Sequence, residues 1–96
     1  MNEHLYIITY DISCQKRWRS VFKLMKAYGD WLQLSVFQCR LSRRRHAELL
    51  ATLDEIIHHD QDHVLMLDLG VADSVTPRVV SLGKAFEAVK REAVIV

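Results

Sequence analysis

An aspartate closes an apolar, β-branched and aromatic run, Leu5-Tyr6-Ile7-Ile8-Thr9-Tyr10-Asp11-Ile12, and a basic segment, Lys16-Arg17-Trp18-Arg19, follows it. A carboxylate near the end of a buried strand suits a hard cation such as magnesium, and guanidinium groups close by suit a phosphodiester backbone. The combination points to metal-assisted phosphate chemistry with Asp11 as metal ligand and Arg17 and Arg19 on the phosphate. Its alternative is local: Asp11 as a turn or cap acceptor for backbone N–H groups, and the arginines as solvated helix charges. Arg43-Arg44-Arg45 opens a second helical pattern. Three cations there oppose the sign of the helix dipole, so a bound phosphate is an attractive explanation, beside a solvated cluster. The segment His58-His59-Asp60-Gln61-Asp62-His63 offers an i, i+4 histidine pair, His59 and His63. The preceding helix is expected to end between them, and histidines at a helix C-terminus favour the dipole without any metal, so no zinc site is expected.

The elements that position these groups follow from hydrophobic period. Residues 5–12 read as a central strand, apolar on both faces. Ser13 is expected to cap a helix whose stripe is Trp18, Val21, Phe22, Met25 and Tyr28, with Gly29 closing it and Lys16, Arg19, Lys23 and Lys26 outside. The aromatic residues of that stripe read as core. Residues 31–41 are extended without an internal Gly or Pro, which leaves no room for a conventional hairpin and predicts one long bent strand or two short ones. Ser42 is expected to cap a second helix buried through Leu49, Leu50, Leu53, Ile56 and Ile57 and ending near His58-His59-Asp60. Residues 64–69 predict a strand stopped by Gly70, 72–77 a loop, 78–83 a short strand, and 93–96 an apolar tail. This order predicts an α+β, ferredoxin-like βαββαβ sandwich over residues 1–83 with both helices on one face of the sheet. Residues 84–96 form an extension of the same domain. Its strand, Val94-Ile95-Val96, would leave an exposed apolar edge unless it paired with a partner protomer.

The chain has 96 residues and a net charge of +1. One domain is expected, small enough that burying further surface in a dimer would help it. Charge is polarised: residues 1–45 carry nine basic and three acidic groups, and residues 46–96 carry four and nine. Such a chain can turn a positive face to a polyanion while staying near neutral, or pair its charges across the fold. No apolar run reaches membrane-spanning length and the first residues lack a basic signal-peptide start, so a cytoplasmic protein is expected. Cys14 and Cys39 follow no metal-ligand spacing and read as free thiols. No glycine-rich phosphate loop or nucleophile elbow is present.

Tyr10-Asp11-Ile12 after the strand, the arginines of Lys16-Arg17-Trp18-Arg19, Tyr28-Gly29, and Gln33-Leu34-Ser35-Val36-Phe37-Gln38-Cys39 together resemble the CRISPR-associated Cas2 proteins over nearly the whole chain. The resemblance implies a ferredoxin-like fold and a symmetric homodimer that bridges two dimers of the larger Cas1 integrase and helps hold new spacer DNA. Some members are described as metal-dependent endonucleases on single-stranded RNA or double-stranded DNA. Residue by residue, it makes Asp11 the metal-binding and catalytic aspartate and Arg17 and Arg19 the basic positions opening the first helix. It places Ser35 and Phe37 near the dimer interface. Gln38 departs from the pattern, since an acidic residue is common there.

Magnesium seeks six oxygens and usually takes one or two protein carboxylates plus waters, so a lone Asp11 makes a weak site. Asp68 would lie at the opposite end of an antiparallel neighbour. Asp11 of a symmetry mate is the better second ligand, because a two-fold axis brings equivalent side chains together.

Overall fold

In a computed structural model, which describes residues 2–83, the chain runs β1 (His4–Asp11), α1 (Gln15–Tyr28), β2 (Asp30–Gln33), β3 (Val36–Leu41), α2 (Arg43–Ile56) and β4 (His63–Val71), then a 3₁₀ turn at Ala72–Ser74. The strands form one antiparallel sheet in the order β2-β3-β1-β4. This is the expected α+β, ferredoxin-like arrangement. Alternation along the strands decides the layers: Tyr6, Ile8 and Tyr10 of β1 and Phe37, Cys39 and Leu41 of β3 join Val21, Phe22 and Met25 of α1 and Leu49 and Leu53 of α2 in one core. Ile8, Met25 and Phe37 have no exposed surface, and burying such a side chain is worth roughly 1.5–3 kcal/mol each. Trp18 and Tyr28 pack against this core, as their stripe predicted. The odd-numbered positions of β1 and β4 fall on the face away from the helices, where Leu65, Leu67 and Leu69 stay 39–47% exposed.

Several local expectations are corrected. Ser13 is not the cap of α1; Cys14 takes that position without a side-chain hydrogen bond. Gly29 does close α1, but with φ −160, so left-handed geometry is not its reason. A Cβ there would meet the Gln38 carbonyl oxygen at 2.7 Å and the Cys39 sulfur, so close approach of the chain to β3 is what requires glycine. Residues 30–41 do form a hairpin, with only Leu34 and Ser35 between β2 and β3. The turn is made without glycine by placing exposed Leu34 at φ 42, and the Trp31 indole N–H donates to its carbonyl at 2.9 Å. Ser42 caps α2 as expected, its hydroxyl accepting from the Arg45 N–H at 3.2 Å. That helix ends at Ile56, ahead of the histidines, and Leu50 faces solvent at 45% exposure.

Gly70 does not stop the last strand. It lies within β4 at φ 108, where the register against β1 slips from Tyr6↔Asp68 to His4↔Val71, a bulge of one extra residue. Residues 78–83 are not a strand, since they form no ladder among the described residues. Neither cysteine is in a disulfide; Cys39 is buried and Cys14 half-buried. The C-terminal extension, 84–96, with Val94, Ile95 and Val96, lies outside the described residues.

Candidate metal and nucleic-acid site

Asp11 is the last residue of β1, exposed, and opposite His63 of β4. By alternation it shares the face of Ile7 and Thr9, away from the helices. Among the described residues its carboxylate has no hydrogen-bond or ion-pair partner, and it takes no part in capping α1. The local reading of Asp11 therefore has no support in the geometry. Its neighbour Tyr10 points the other way, into the core, where burial pushes the phenol up to about 12 and removes it from surface chemistry. Asp68 pairs with Tyr6, five positions along β1 from Asp11, so the two carboxylates stand at opposite ends of the sheet. Among the described residues no three metal-ligating side chains converge. Among the described residues a protomer therefore offers magnesium one good carboxylate here, and the donor set fits that ion only with a second acid from outside them.

Arg17 and Arg19 lie two positions apart near the start of α1, so they leave nearly opposite sides of the helix and have different surroundings. The Arg17 Nε donates to Asp62 Oδ2 at 2.7 Å, while Nη2 donates to Asp62 Oδ1, Ser13 Oγ and Gln61 Oε1 at 3.2, 3.2 and 3.3 Å. The Asp62 side chain is fully buried and Arg17 keeps a quarter of its surface. Asp62 also accepts from the Ser13 N–H and hydroxyl and from the His58 N–H. Above all the Arg17 guanidinium, and then these further donors, hold its carboxyl well below the usual carboxylate range. Asp62 thus ties the loop before β4 to the start of α1, the two segments beside Asp11. Weighing 58–63 for zinc overlooks it, because its partner lies 45 positions away. Arg19 is exposed, with no partner among the described residues.

Arg43, Arg44 and Arg45 lie at the other end of the sheet, beyond the length of β1, roughly 23 Å away at the usual strand rise. They cannot serve the same phosphate as Asp11 in one protomer. Arg45 folds over the Tyr28 ring, 4.6 Å from its centre, and donates to the Ala27 carbonyl at 3.3 Å, the negative end of α1. Arg44 reaches Glu48 at 3.4 Å, and Arg43 has no partner among the described residues. Ser35 lies at the Asp11 end, where its hydroxyl accepts from the Trp18 indole at 3.0 Å. Phe37 is entirely within the protomer's own core, so any contact with a partner there is made by its strand neighbours.

A family model described as CRISPR associated protein Cas2 matches residues 4–74. The chain is 57% identical over 94 residues to the CRISPR-associated endoribonuclease Cas2 of Geobacter sulfurreducens, covering 98% of this chain and 99% of that protein. It is 55% identical to CRISPR-associated endoribonuclease Cas2 1 of Rhodospirillum rubrum, covering 98% and 92%. Among solved structures it resembles Streptococcus pyogenes Cas2 at pH 6.5, with a TM-score of 0.71, 31% identity and 82% and 99% of the two chains covered. A hypothetical protein, TT1823, of Thermus thermophilus superposes with a TM-score of 0.74 at 29% identity over 90% and 98% of the two chains.

Proposed function

Because this chain belongs to the CRISPR-associated Cas2 family, we propose that it is a CRISPR adaptation protein. It acts as a homodimer that, with the Cas1 integrase, binds new spacer DNA and helps insert it into the CRISPR array. It also carries a magnesium-dependent endonuclease activity on single-stranded RNA or double-stranded DNA, centred on Asp11. The observation that carries this reading is the placement of Asp11: a carboxylate without a partner among the described residues, at the rim of a sheet face bearing half-exposed leucines. Pairing that face about a two-fold axis running along the strands would cover Leu65 and Leu67 and bring the two Asp11 carboxylates to the same end of the joint. Asp11 of each protomer would then hold the magnesium. When bound, it supplies a water of lowered pKa and neutralises phosphate charge.

Around it, Asp62 and Arg17 fix the loop and helix start that frame the carboxylate, and Arg19 presents an open guanidinium to a phosphate. Arg43 and Arg44 contact duplex backbone away from that centre, which suits a scaffold that spans DNA without reading its bases. The names of the relatives as endoribonucleases support a nuclease. A purely architectural role is the second reading, favoured by the absence of three converging ligands among the described residues. The two are separated by magnesium-dependent cleavage of labelled single-stranded RNA and double-stranded DNA with wild type and Asp11→Asn. Cleavage lost in the variant supports the enzyme; equal cleavage, or an inert wild type, leaves the scaffold.

A further inference from the structure

At the end of the sheet opposite Asp11, a cavity of about 450 Å³ is lined by His4, Tyr6, Arg43, His46 and Asp68 among others. The Nδ1 of His4 lies 2.9 and 3.1 Å from the two Asp68 oxygens. A carboxylate can only accept there, so Nδ1 carries a proton and, in the neutral ring, the Nε2 lone pair is left for another partner. Asp68 is itself held by the Gly70 N–H at 2.9 Å, so the β4 bulge fixes the carboxylate that fixes the imidazole. His46, from α2, stacks on Tyr6 with ring centres 4.4 Å apart and planes 6° apart, and Tyr6 lies 6.4 Å from the His4 ring. Both imidazoles thus neighbour one tyrosine at the wall of the same cavity. Arg43 stands at the same wall with no partner among the described residues, and His4 and Asp68 are 40% and 50% exposed, so both are reachable from solvent.

We propose that this cavity is a second, metal-independent site that cleaves single-stranded RNA through its own 2′-hydroxyl. As base, His4 takes the 2′-hydroxyl proton on Nε2 as the oxygen attacks the adjacent phosphorus. The P–O5′ bond breaks, and His46, as acid, gives a proton to the departing O5′. The products are a 2′,3′-cyclic phosphate and a 5′-hydroxyl; a proton exchange with water restores both rings, with no metal, oxidant or reductant consumed. Arg43 meets the charge that builds on the phosphoryl oxygens. Asp68 is a positioning residue: it keeps His4 in the tautomer whose free nitrogen is the base. Of the charged and titratable groups facing the rings, Asp68 from β4 lies near both, Tyr6 from β1 neighbours each, and Arg43 from α2 lines the same cavity. DNA has no 2′-hydroxyl and is not a substrate.

The site is independent of Asp11, and the experiment keeps the two apart. Single-stranded RNA, the same RNA with 2′-deoxy at the scissile position, and the matching DNA are incubated in excess EDTA with wild type, Asp11→Asn, His4→Gln and His46→Gln, each checked for fold by circular dichroism. The expected result is chelator-resistant cleavage of the RNA alone, yielding 2′,3′-cyclic phosphate. Asp11→Asn should retain it, and each histidine variant should lose at least about 100-fold in rate. Asp68→Asn should lower kcat with KM unchanged. Arg43→Gln, at an exposed position, replaces a histidine variant that does not fold, and a comparable loss is expected. No chelator-resistant cleavage by folded wild type, cleavage surviving the histidine and Arg43 changes, or its loss in Asp11→Asn overturns the proposal. Cleavage only with magnesium, lost in Asp11→Asn, overturns the cavity and leaves the Asp11 reading in place.

Discussion

Replacing Arg43 and Arg44 together by glutamine should flatten the salt dependence of duplex DNA binding, and the same change at Arg45 should not. The three arginines are neighbours in sequence, yet the fold leaves only two open to a phosphate. Arg43 has no partner among the described residues. Arg44 is 88% exposed in its helix-spaced contact with Glu48, a pair worth only about 0.2–0.5 kcal/mol and readily given up. Arg45 is held by the Tyr28 ring and the Ala27 carbonyl. Each duplex phosphate neutralised contributes about 0.9 to the slope of log affinity against log salt. Losing two contacts removes about 1.8 for each protomer engaged on the duplex, so between roughly 50 and 200 mM salt the double variant should lose at least about tenfold less affinity than wild type. Anisotropy titrations of a labelled duplex across that range measure it. Arg45→Gln should keep the wild-type slope while losing about 0.5–1 kcal/mol of stability with its cation–π contact. An unchanged slope in the double variant, or an equal drop in Arg45→Gln, would refute the assignment of phosphate contacts by partner.

Gly29→Ala should destabilise by about 1–3 kcal/mol, because the added Cβ meets a backbone carbonyl of β3 that cannot swing aside; urea midpoints read this, and a neutral result would remove close approach as the reason for glycine. The Asp62 carboxyl is depressed in the folded state, so its contribution is present above the unfolded value near 3.9 and is lost as pH falls toward the folded value. Arg17→Ala removes the chief cause of that depression and should shrink the stability difference between pH 7 and pH 3, measured by denaturation at both. Leu67→Lys, on the half-exposed face of β4, should shift a dimer toward monomer in sedimentation analysis; a variant as dimeric as wild type would move the interface off that face.

Much of the fold is legible because its signals are local. The alternation in Tyr6, Ile8 and Tyr10, the helical stripe of Val21, Phe22 and Met25, and the Ser42 cap each depend on residues a few positions apart. Where the local rule admits a substitute, pattern and structure differ: Leu34 takes the left-handed position usually left to glycine, and Gly70 marks a bulge instead of an end. The candidate residues were legible as types, with Asp11 and the arginines standing out by charge in apolar surroundings.

By itself, the sequence determined the element order, the residues that must face the core and the presence of a carboxylate at a strand end, since period and side-chain chemistry are properties of neighbouring positions. Only the tertiary structure decided which charges are free. It spent Arg17 on Asp62, 45 positions away, anchored Arg45 on the end of the other helix, and left Asp11, Arg19 and Arg43 without partners among the described residues. It also set Asp11 and the second arginine cluster at opposite ends of the sheet and brought His4, His46 and Asp68 to one cavity. Packing creates these neighbours across long stretches of chain, and no periodicity carries a record of them.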